Sequence, residues 1–263
     1  MSERIKKLFE KKEKKLVTFT TGGDPDLETS LEILKVIINN DIDIIEIGMP
    51  FSDPMADGPT IQESSVRSIA NGTKINDIFE IVTKVRKINN EIPIILMGYY
   101  NSIFHLGIDN FTSKCSETGV DGLIIVDLQP EEDPELFTKT KEKNIDLIRL
   151  IAPTTDEKRL NTILSNASGF LYYVTITGIT GQNSADIDHL KKSIKAIKSS
   201  TKLPIVAGFG IKNRKDVEQI SAFTDGVVVG SSIVNIIKKN LDDKNKMINE
   251  IDIFTKDLKE GVK

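Results

Sequence analysis

Two carboxylates near residue 50 are the side chains of this chain best suited to move protons. Glu46 lies near the end of an apolar run, residues 42–48, and Asp57 follows in a loop stiffened by prolines. A charge within such a run is costly to bury without a partner, so its presence points to chemistry or to a specific pairing. We therefore take Glu46 and Asp57 as the first candidates for an acid–base pair.

The apolar neighbours of Glu46 predict a pKa raised towards neutrality, which would let its carboxyl group give and take protons in one cycle. Asp57 could accept a proton from a ring N–H, and position alone does not exclude Asp53 in the same loop. In a purely structural alternative, Glu46 pairs with a surface lysine. Asp57 then merely starts a turn or caps the helix that begins at Thr60.

Eight short apolar, β-branched runs recur along the chain and must supply the frame for these acids. They cover residues 16–21, 42–48, 93–99, 122–128, 146–152, 170–175, 204–209 and 226–230. Segments with helical periodicity separate most of the runs, which is typical of parallel strands covered by helices. The pattern predicts an α/β fold, a (β/α)₈ TIM barrel, with a doubly wound open sheet as the alternative. That alternative lacks a GxGxxG pattern after the first strand.

An extra N-terminal helix is predicted before the first strand, over residues 2–12. Ile5, Leu8 and Phe9 would close the bottom of the barrel from this helix. A last helix around residues 246–259 carries an apolar stripe, which we interpret as packing. Composition does not shift anywhere along the chain, so residues 1–263 are predicted to form a single domain.

Glycine-rich segments follow the last three predicted strands, at residues 178–181, 208–210 and 230–232. Glycines let backbone N–H groups approach an anion closely, and a helix opened by Ser231 and Ser232 would favour negative charge at its N-terminus. Phosphate sites in this fold lie after strands seven and eight. Each segment alone is weak evidence because turns use glycine anyway; the three together indicate a phosphate site.

Residue types at the strand ends narrow the set of possible reaction types. They carry no lysine for a Schiff base, and the two histidines, His105 and His189, lie away from any cluster that could hold zinc. GxSxG and P-loop patterns are absent. Carboxylate-driven proton transfer on a small phosphorylated substrate remains.

Aromatic residues near the strand ends could supply a flat pocket: Phe19, Tyr99, Tyr172 and Phe209. Each is individually more often a core residue than a pocket residue. Phe209 is the exception, because it lies between two glycines of the presumed anion loop.

Charge and cysteine content restrict the partners and the compartment. The net charge of −4 argues against a nucleic-acid partner. The single cysteine, Cys115, excludes an internal disulfide and fits a reducing compartment. The start resembles no signal peptide, and no apolar run approaches membrane-spanning length. We expect a cytoplasmic protein, or one inside an organelle such as a plastid, with no membrane partner.

Seven segments resemble the tryptophan synthase α subunit family. They are FTTGGDPD at 19–26, EIGMPFSDPMADGPTIQ at 46–62, MGYYN at 97–101, GLIIVDL at 122–128, TGITG at 177–181, AGFGI at 207–211 and GVVVGSSIV at 226–234. The second segment is highly specific, and the match covers nearly the whole chain. The resemblance implies a (β/α)₈ lyase that cleaves indole-3-glycerol phosphate to indole and glyceraldehyde 3-phosphate, the last step of tryptophan biosynthesis.

The resemblance also assigns roles to residues. It places the catalytic carboxylates on Glu46, which would shuttle protons at C3 of the indole and at the side-chain hydroxyl, and on Asp57, which would take the ring N–H proton. It assigns phosphate contacts to Gly181, Gly210, Gly230 and Ser231. It assigns the indole pocket to Phe19, Tyr99, Tyr172 and Phe209. Thr180 would hold Asp57 in place when its loop closes.

The partner implied by the resemblance is a pyridoxal-phosphate β subunit, in an α2β2 heterotetramer, with no cofactor or metal in the α subunit itself. Two departures from the family pattern, Leu128-Gln129-Pro130 and Gln182-Asn183, bear on loop closure and on the β subunit rather than on catalysis.

Two other hypotheses remain open from the sequence. A stand-alone lyase would release free indole, and a catalytically silent binding subunit would be expected to lack one of the two carboxylates. The related indole-glycerol-phosphate synthase barrel needs a catalytic lysine that the strand ends do not offer.

Overall fold

The computed structural model describes residues 1–174, 184–208 and 210–262, with only the backbone given for residues 184–186. Nine strands form one sheet in these ranges, and every neighbouring pair is parallel. The strands are β1 (Lys15–Thr21), β2 (Ile44–Gly48), β3 (Ile94–Gly98), β4 (Gly122–Ile125), β5 (Asp146–Leu147), β6 (Arg149–Ile151), β7 (Leu171–Val174), β8 (Ile205–Gly208) and β9 (Gly226–Val229). Their order is β5-β4-β3-β2-β1-β9-β8-β7-β6.

The two ends of this sheet belong to one continuous segment of the chain. β5 pairs with β4 and β6 pairs with β7, while only Ile148 lies between β5 and β6. The backbone N–H of Ile148 donates to the carbonyl of Leu123 at 2.9 Å, which continues the β4 ladder. The sheet therefore closes into a barrel at this segment. The predicted TIM barrel is confirmed, and the doubly wound alternative is wrong.

The predicted fifth strand thus appears as two short strands, because its first half pairs on one side and its second half on the other. Most observed strands are a residue or more shorter than their apolar runs. The largest difference is at β4, which ends at Ile125 because the chain turns there, with Leu128 N–H donating to the Ile125 carbonyl at 3.4 Å.

Helices pack around the barrel or across its bottom in the described ranges. They are α1 (Glu3–Glu10), α2 (Leu27–Asn39), α3 (Pro59–Ala70), α4 (Ile75–Ile88), α5 (Tyr100–Leu106), α6 (Ile108–Thr118), α7 (Pro134–Glu142), α8 (Glu157–Ser165), α9 (Ser184–Ser200), α10 (Arg214–Ser221), α11 (Ser231–Lys239) and α12 (Lys244–Glu260). None of them is long and apolar enough to cross a lipid bilayer.

Two apolar cores lie on the two faces of the sheet, since successive strand side chains point to opposite faces. The outer core lies between strands and helices and includes Cys115, which is fully buried on α6. α12 packs on this side through Met247, Ile251 and Leu258, so its apolar stripe serves packing as predicted.

The inner core fills the barrel. It contains Val17, Ile44, Ile95, Ile124, Ile148, Phe170, Val206 and Val228 from the strands. Ile5 of α1 belongs to the same core, with Leu8 and Phe9 packed against it. These contacts confirm that the extra N-terminal helix closes the bottom of the barrel through the three predicted side chains.

The next layer towards the carboxyl ends of the strands has a different composition. Two residues beyond the inner core, on the same strand faces, stand Phe19, Glu46, Met97, Val126, Leu150, Tyr172, Gly208 and Gly230. An acid, the ring of Phe19 and two glycines here replace the branched aliphatic residues below, and Tyr172 stands above Phe170. This layer forms the floor of the candidate site, at the end of the barrel where active sites of this fold lie.

Candidate active site

Glu46 lies in the middle of β2 with its carboxyl group buried in the barrel; the residue is only 1% exposed. Neither carboxyl oxygen has a hydrogen-bond partner among the described residues. Burial, with the charge of Asp57 as the second cause, raises the pKa of Glu46 to about 8. A carboxyl group with this pKa is largely protonated at pH 7 and can still release its proton.

Two contacts of the structural alternative are absent within the described residues. Glu46 lies too deep for a surface lysine, and its raised pKa has no cationic cause. Asp57 does not cap the following helix: α3 begins at Pro59 with Gly58 as its N-cap and without a side-chain cap. Asp53 is exposed, and Ser52 Oγ donates to its Oδ2 at 2.5 Å. Burial therefore favours Asp57 over Asp53.

Asp57 is half-buried at the mouth of the barrel and is held by Tyr99. Tyr99 Oη donates to Asp57 Oδ2 at 3.1 Å and accepts a hydrogen bond from the backbone N–H of Ala56 at 3.0 Å. Burial raises the pKa of Asp57, and the Tyr99 hydrogen bond partly opposes this effect. Burial and the nearby Asp57 charge also raise the pKa of Tyr99, so its hydroxyl keeps the proton that it donates.

The loop that carries Asp57 has a second attachment to the same tyrosine. The ring of Phe51 stacks on the ring of Tyr99, with centroids 5.1 Å apart and planes 24° apart. Stacked aromatic pairs add about 0.5–1.5 kcal/mol beyond their buried area. Tyr99 thus fixes both ends of the segment 51–57. Phe51 was not among the predicted site residues, although its position in the same specific segment was an available signal.

A small cavity opens beside Asp57 and above the inner layer. Its lining combines apolar side chains with a few polar groups: Phe19, Thr21, Gly48, Met49, Asp57, Ile61, Ser65, Met97, Gly98, Tyr99 and Val126. Phe19 and Tyr99, two of the predicted pocket residues, are therefore in its wall. Glu46 lies below Gly48 on the same face of β2, two residues earlier in the chain. The interaction between the charges of Glu46 and Asp57 shows that both acids belong to this region.

Glycines make room for the aromatic rings. A Cβ atom at Gly48 would lie 2.6 Å from Cζ of Phe19, and one at Gly208 would lie 2.8 Å from Cε1 of Tyr172. Tyr172 is near enough to both acids for their charges, after burial, to raise the pKa of its hydroxyl. The third predicted pocket residue therefore lies with the acid pair. The sequence signal for this role of Gly48 and Gly208 is glycine at an inward strand position.

The candidate phosphate residues in the described ranges lie at the ends of β8 and β9. Gly210 is exposed, has a left-handed φ of +52°, and would place a Cβ atom in open space. Gly230 is the N-cap of α11, and Ser231 is its first residue, as predicted. Ser232 Oγ donates to the Ile211 carbonyl at 2.6 Å, which joins the two loops. Gly210, Gly230 and Ser231 are thereby brought to one side of the mouth.

The remaining predicted residues, Thr180, Gly181 and Phe209, lie outside the described residues. The same holds for the departure at Gln182-Asn183. The other departure is within the described chain: Pro130 begins a 3₁₀ turn that leads into α7.

The positions of these side chains, rather than the fold alone, narrow the class of protein. A (β/α)₈ barrel keeps its chemistry at the carboxyl ends of its strands. At that end, a buried carboxyl group that titrates near pH 8 interacts with a second carboxyl group at the wall of a small aromatic cavity. Fold and site together define a barrel enzyme of the acid–base type.

Comparison with known proteins gives the particular family. Residues 5–263 match the family model described as tryptophan synthase alpha chain. The chain belongs to this family, whose members are carbon–carbon lyases acting on indole-3-glycerol phosphate.

Individual relatives agree with this assignment. The chain is 44% identical over 256 residues to the tryptophan synthase alpha chain of Petrotoga mobilis, covering 97% of this chain and 98% of the relative. The structure of tryptophan synthase subunit alpha from Legionella pneumophila matches with a TM-score of 0.92 and 34% identity, covering 100% of this chain and 98% of that one. A chain of Mycobacterium tuberculosis tryptophan synthase matches with a TM-score of 0.90 and 27% identity, covering 100% and 99%.

Proposed function

We propose that this chain cleaves indole-3-glycerol phosphate to indole and glyceraldehyde 3-phosphate by a retro-aldol reaction, as the α subunit of tryptophan synthase. The observation that carries the proposal is the buried Glu46 carboxyl group, with no partner among the described residues and with its pKa raised to about 8 beside Asp57. A buried, unpaired carboxyl group is a large cost to the fold, and proton transfer gives a reason for it.

The reaction needs protons at three places. C3 of the indole must gain a proton, the ring N–H must be shared with a base, and the hydroxyl next to the breaking bond must lose its proton. Glu46 is suited to the first and third tasks, because its pKa lies close to the working pH. Asp57, at the wall of the cavity with Phe19 and Tyr99, is suited to take the ring N–H proton. The electron pair of the broken carbon–carbon bond stays with the indole.

The glycerol phosphate end of the substrate fits the side of the mouth that carries the glycines. The N-terminus of α11 presents backbone N–H groups at Gly230 and Ser231, and this end of a helix favours an anion. Gly210 leaves open space where a side chain would otherwise project. Gly181 and Phe209 are assigned to the same substrate by resemblance alone. So is Thr180, which would hold Asp57 when its loop closes and excludes water.

Partner, cofactor and compartment are further parts of the proposal. The family name implies a β subunit, and we propose an α2β2 complex in which pyridoxal phosphate belongs to the β subunit only. Proton transfer by the two carboxyl groups needs no cofactor or metal in this chain. The continuous sheet supports the proposal that residues 1–263 form one domain, and the composition favours the cytoplasm or an organelle interior.

The test is release of indole from indole-3-glycerol phosphate by the purified chain, with and without a tryptophan synthase β subunit. We expect indole from the chain alone and a higher rate with the β subunit. A chain that forms a complex with the β subunit but releases no indole in either assay would support a silent binding subunit. Equal rates, together with failure to co-purify, would support a stand-alone lyase.

A further inference from the structure

Asp127 is a carboxylate at the carboxyl end of the barrel that the proposed function does not use. It follows β4, and its Oδ1 accepts a hydrogen bond from the backbone N–H of Tyr100 at 2.8 Å. Tyr100 is the first residue of α5, and Tyr99 is the N-cap. A side chain that follows β4 therefore holds the start of the helix that follows the neighbouring strand, β3.

Tyr99 links this helix start to the acid pair. Its side chain is buried, and its hydroxyl bridges Asp57 and the backbone of Ala56. The peptide group between Tyr99 and Tyr100 contains the N–H that Asp127 accepts. This hydrogen bond anchors the planar peptide group that directly follows the Tyr99 Cα atom, from which the side chain leaves the backbone. The contacts thus run without a gap from Asp127 to Asp57.

The backbone behind Asp127 is itself fastened to the barrel. Arg149 of β6 forms a buried ion pair with Asp133, at the end of the same loop, and its Nη1 also donates to the carbonyl of Leu128 at 3.4 Å. Although the Asp127 side chain is exposed, the next residue along the chain is held by the neighbouring strand. The Asp127 carboxylate therefore projects from a fixed support rather than from a free loop.

We propose that Asp127 is a positioning residue for Asp57, acting through the backbone of Tyr100 and the hydroxyl of Tyr99. This inference rests on the proposed function of Asp57. Without the Asp127 carboxylate, the start of α5 loses a hydrogen-bond partner for its N–H, and the Tyr99 hydroxyl is no longer held against Asp57. Asp57 then spends less time in the position and ionisation state that accept the ring proton.

The pH dependence of this effect has a definite sign. Tyr99, Glu46 and Tyr172 are the titratable groups that interact with Asp57 among the described residues. The hydrogen bond from Tyr99 lowers the pKa of Asp57, so its loss raises that pKa. Asp57 acts as the ionised base, and activity is lost as pH falls through its pKa. The acid limb of the activity profile therefore moves to higher pH when Asp127 is removed.

The experiment compares the full-length wild type with Asp127→Ala in release of indole from indole-3-glycerol phosphate, as a function of pH. We expect kcat to fall by about two- to tenfold, the equivalent of losing one helix-cap hydrogen bond. KM should stay within about twofold, because the phosphate-binding glycines are not affected. The acid limb should move to higher pH. Unchanged kcat and an unchanged limb would overturn the proposal.

Two further variants separate positioning from charge and from simple helix capping. Asp127→Asn keeps a side-chain oxygen for the Tyr100 N–H and should recover most of the lost kcat. An asparagine variant as impaired as the alanine variant would mean that charge, not the hydrogen bond, is what matters. Asp156→Ala removes a comparable cap, since Asp156 Oδ1 accepts the N–H of Arg159 at 2.7 Å at the start of α8. It should lower thermal stability without moving the acid limb.

A double variant tests whether the effect of Asp127 passes through Tyr99. In a Tyr99→Phe background, Asp127→Ala should cause little further loss, because the two changes break one chain of contacts. Full additivity would overturn the route through Tyr99. Failure of the proposed function is distinguishable from these outcomes, since the wild type itself would then release no indole.

Discussion

Tyr99 Oη and Asp57 Oδ2 lie 3.1 Å apart, although the two residues are 42 positions apart in the chain. A side chain assigned by resemblance to the wall of the indole pocket thus also holds one of the two candidate acids. The same hydroxyl accepts a hydrogen bond from the Ala56 N–H, so it both donates to and accepts from the loop that carries Asp57.

Tyr99→Phe removes this hydrogen bond while keeping the ring that stacks on Phe51. We expect kcat for indole release to fall by about fivefold, which corresponds to about 1 kcal/mol for one hydrogen bond. The pKa of Asp57 should rise, so the acid limb of the profile should move to higher pH. Tyr100→Phe is the control, because it removes the hydroxyl of the adjacent tyrosine. A similar loss in both variants would contradict the assigned role of Tyr99.

Glu46→Gln removes the proton donor with almost no change in shape. Indole release should fall by about 100-fold or more, the usual contribution of a general acid–base group. Asp57→Asn should also abolish release, while both variants fold and bind substrate. In the wild type, kcat/KM should fall above about pH 8, because the proton needed at C3 is lost as Glu46 ionises. Near-normal turnover in either variant would refute the role of that acid.

Stability provides an independent test of the Glu46 environment. The pKa of Glu46 is about 8 in the folded chain and 4.5 as its ordinary value, so the folded state binds the proton more tightly. Both states are protonated well below pH 4.5, and the penalty grows as pH rises towards 8. The free energy of unfolding of Glu46→Gln should therefore exceed that of the wild type by an amount that increases with pH, up to about 5 kcal/mol. Denaturant titrations at several pH values measure this difference, and a constant difference would contradict the burial of this acid.

Gly210→Val tests the phosphate side of the site. Valine strains the left-handed backbone at Gly210 and fills the open space beside it. We expect glyceraldehyde 3-phosphate binding to weaken by about tenfold or more, as when charge-assisted hydrogen bonds are lost, with little effect on indole binding. Gly72→Val is the matched control: Gly72 also has a positive φ and open space, but it follows the far end of α3. Calorimetry with both ligands measures the effect, and equal losses of indole and phosphate ligand would remove the assignment.

The buried ion pair between Arg149 and Asp133 predicts a stability effect that depends on which partner is removed. Both side chains are almost fully buried. Arg149→Met should lower the free energy of unfolding by about 3–5 kcal/mol, because Asp133 is left as an unpaired buried charge. The double variant Arg149→Met with Asp133→Leu should recover most of this loss. If the double variant were no more stable than the single one, the loss would come from packing around Arg149 instead.

Much of the fold follows from the order of the apolar runs. Each run is too apolar to face water on either side, so each needs cover on both faces, and the amphipathic segments between them supply it. The closing segment at 146–151 was not predicted in detail. Whether a strand keeps one neighbour or changes neighbours at Ile148 depends on where the barrel closes, and hydrophobicity does not encode this.

The candidate site likewise has a part that the sequence predicts and a part that it does not. Residue type and local context determined that Glu46 would be a buried acid with a raised pKa, because its isoleucine neighbours on β2 leave the strand no exposed face. The sequence could not choose between Asp57 and Asp53, since both lie in one polar loop. Only the path of that loop against Tyr99 buries one acid and leaves the other in water.

The sequence by itself determined which residues could do chemistry and at which end of a barrel they would lie. Tertiary structure alone decided how they are held: Phe51 on Tyr99, Tyr99 on Asp57, and Asp127 on the backbone of Tyr100. The physical reason is the distance along the chain over which each kind of interaction acts. Apolar periodicity acts over a few neighbouring residues, whereas each of these contacts joins segments 27 to 48 residues apart, whose meeting depends on the closed barrel.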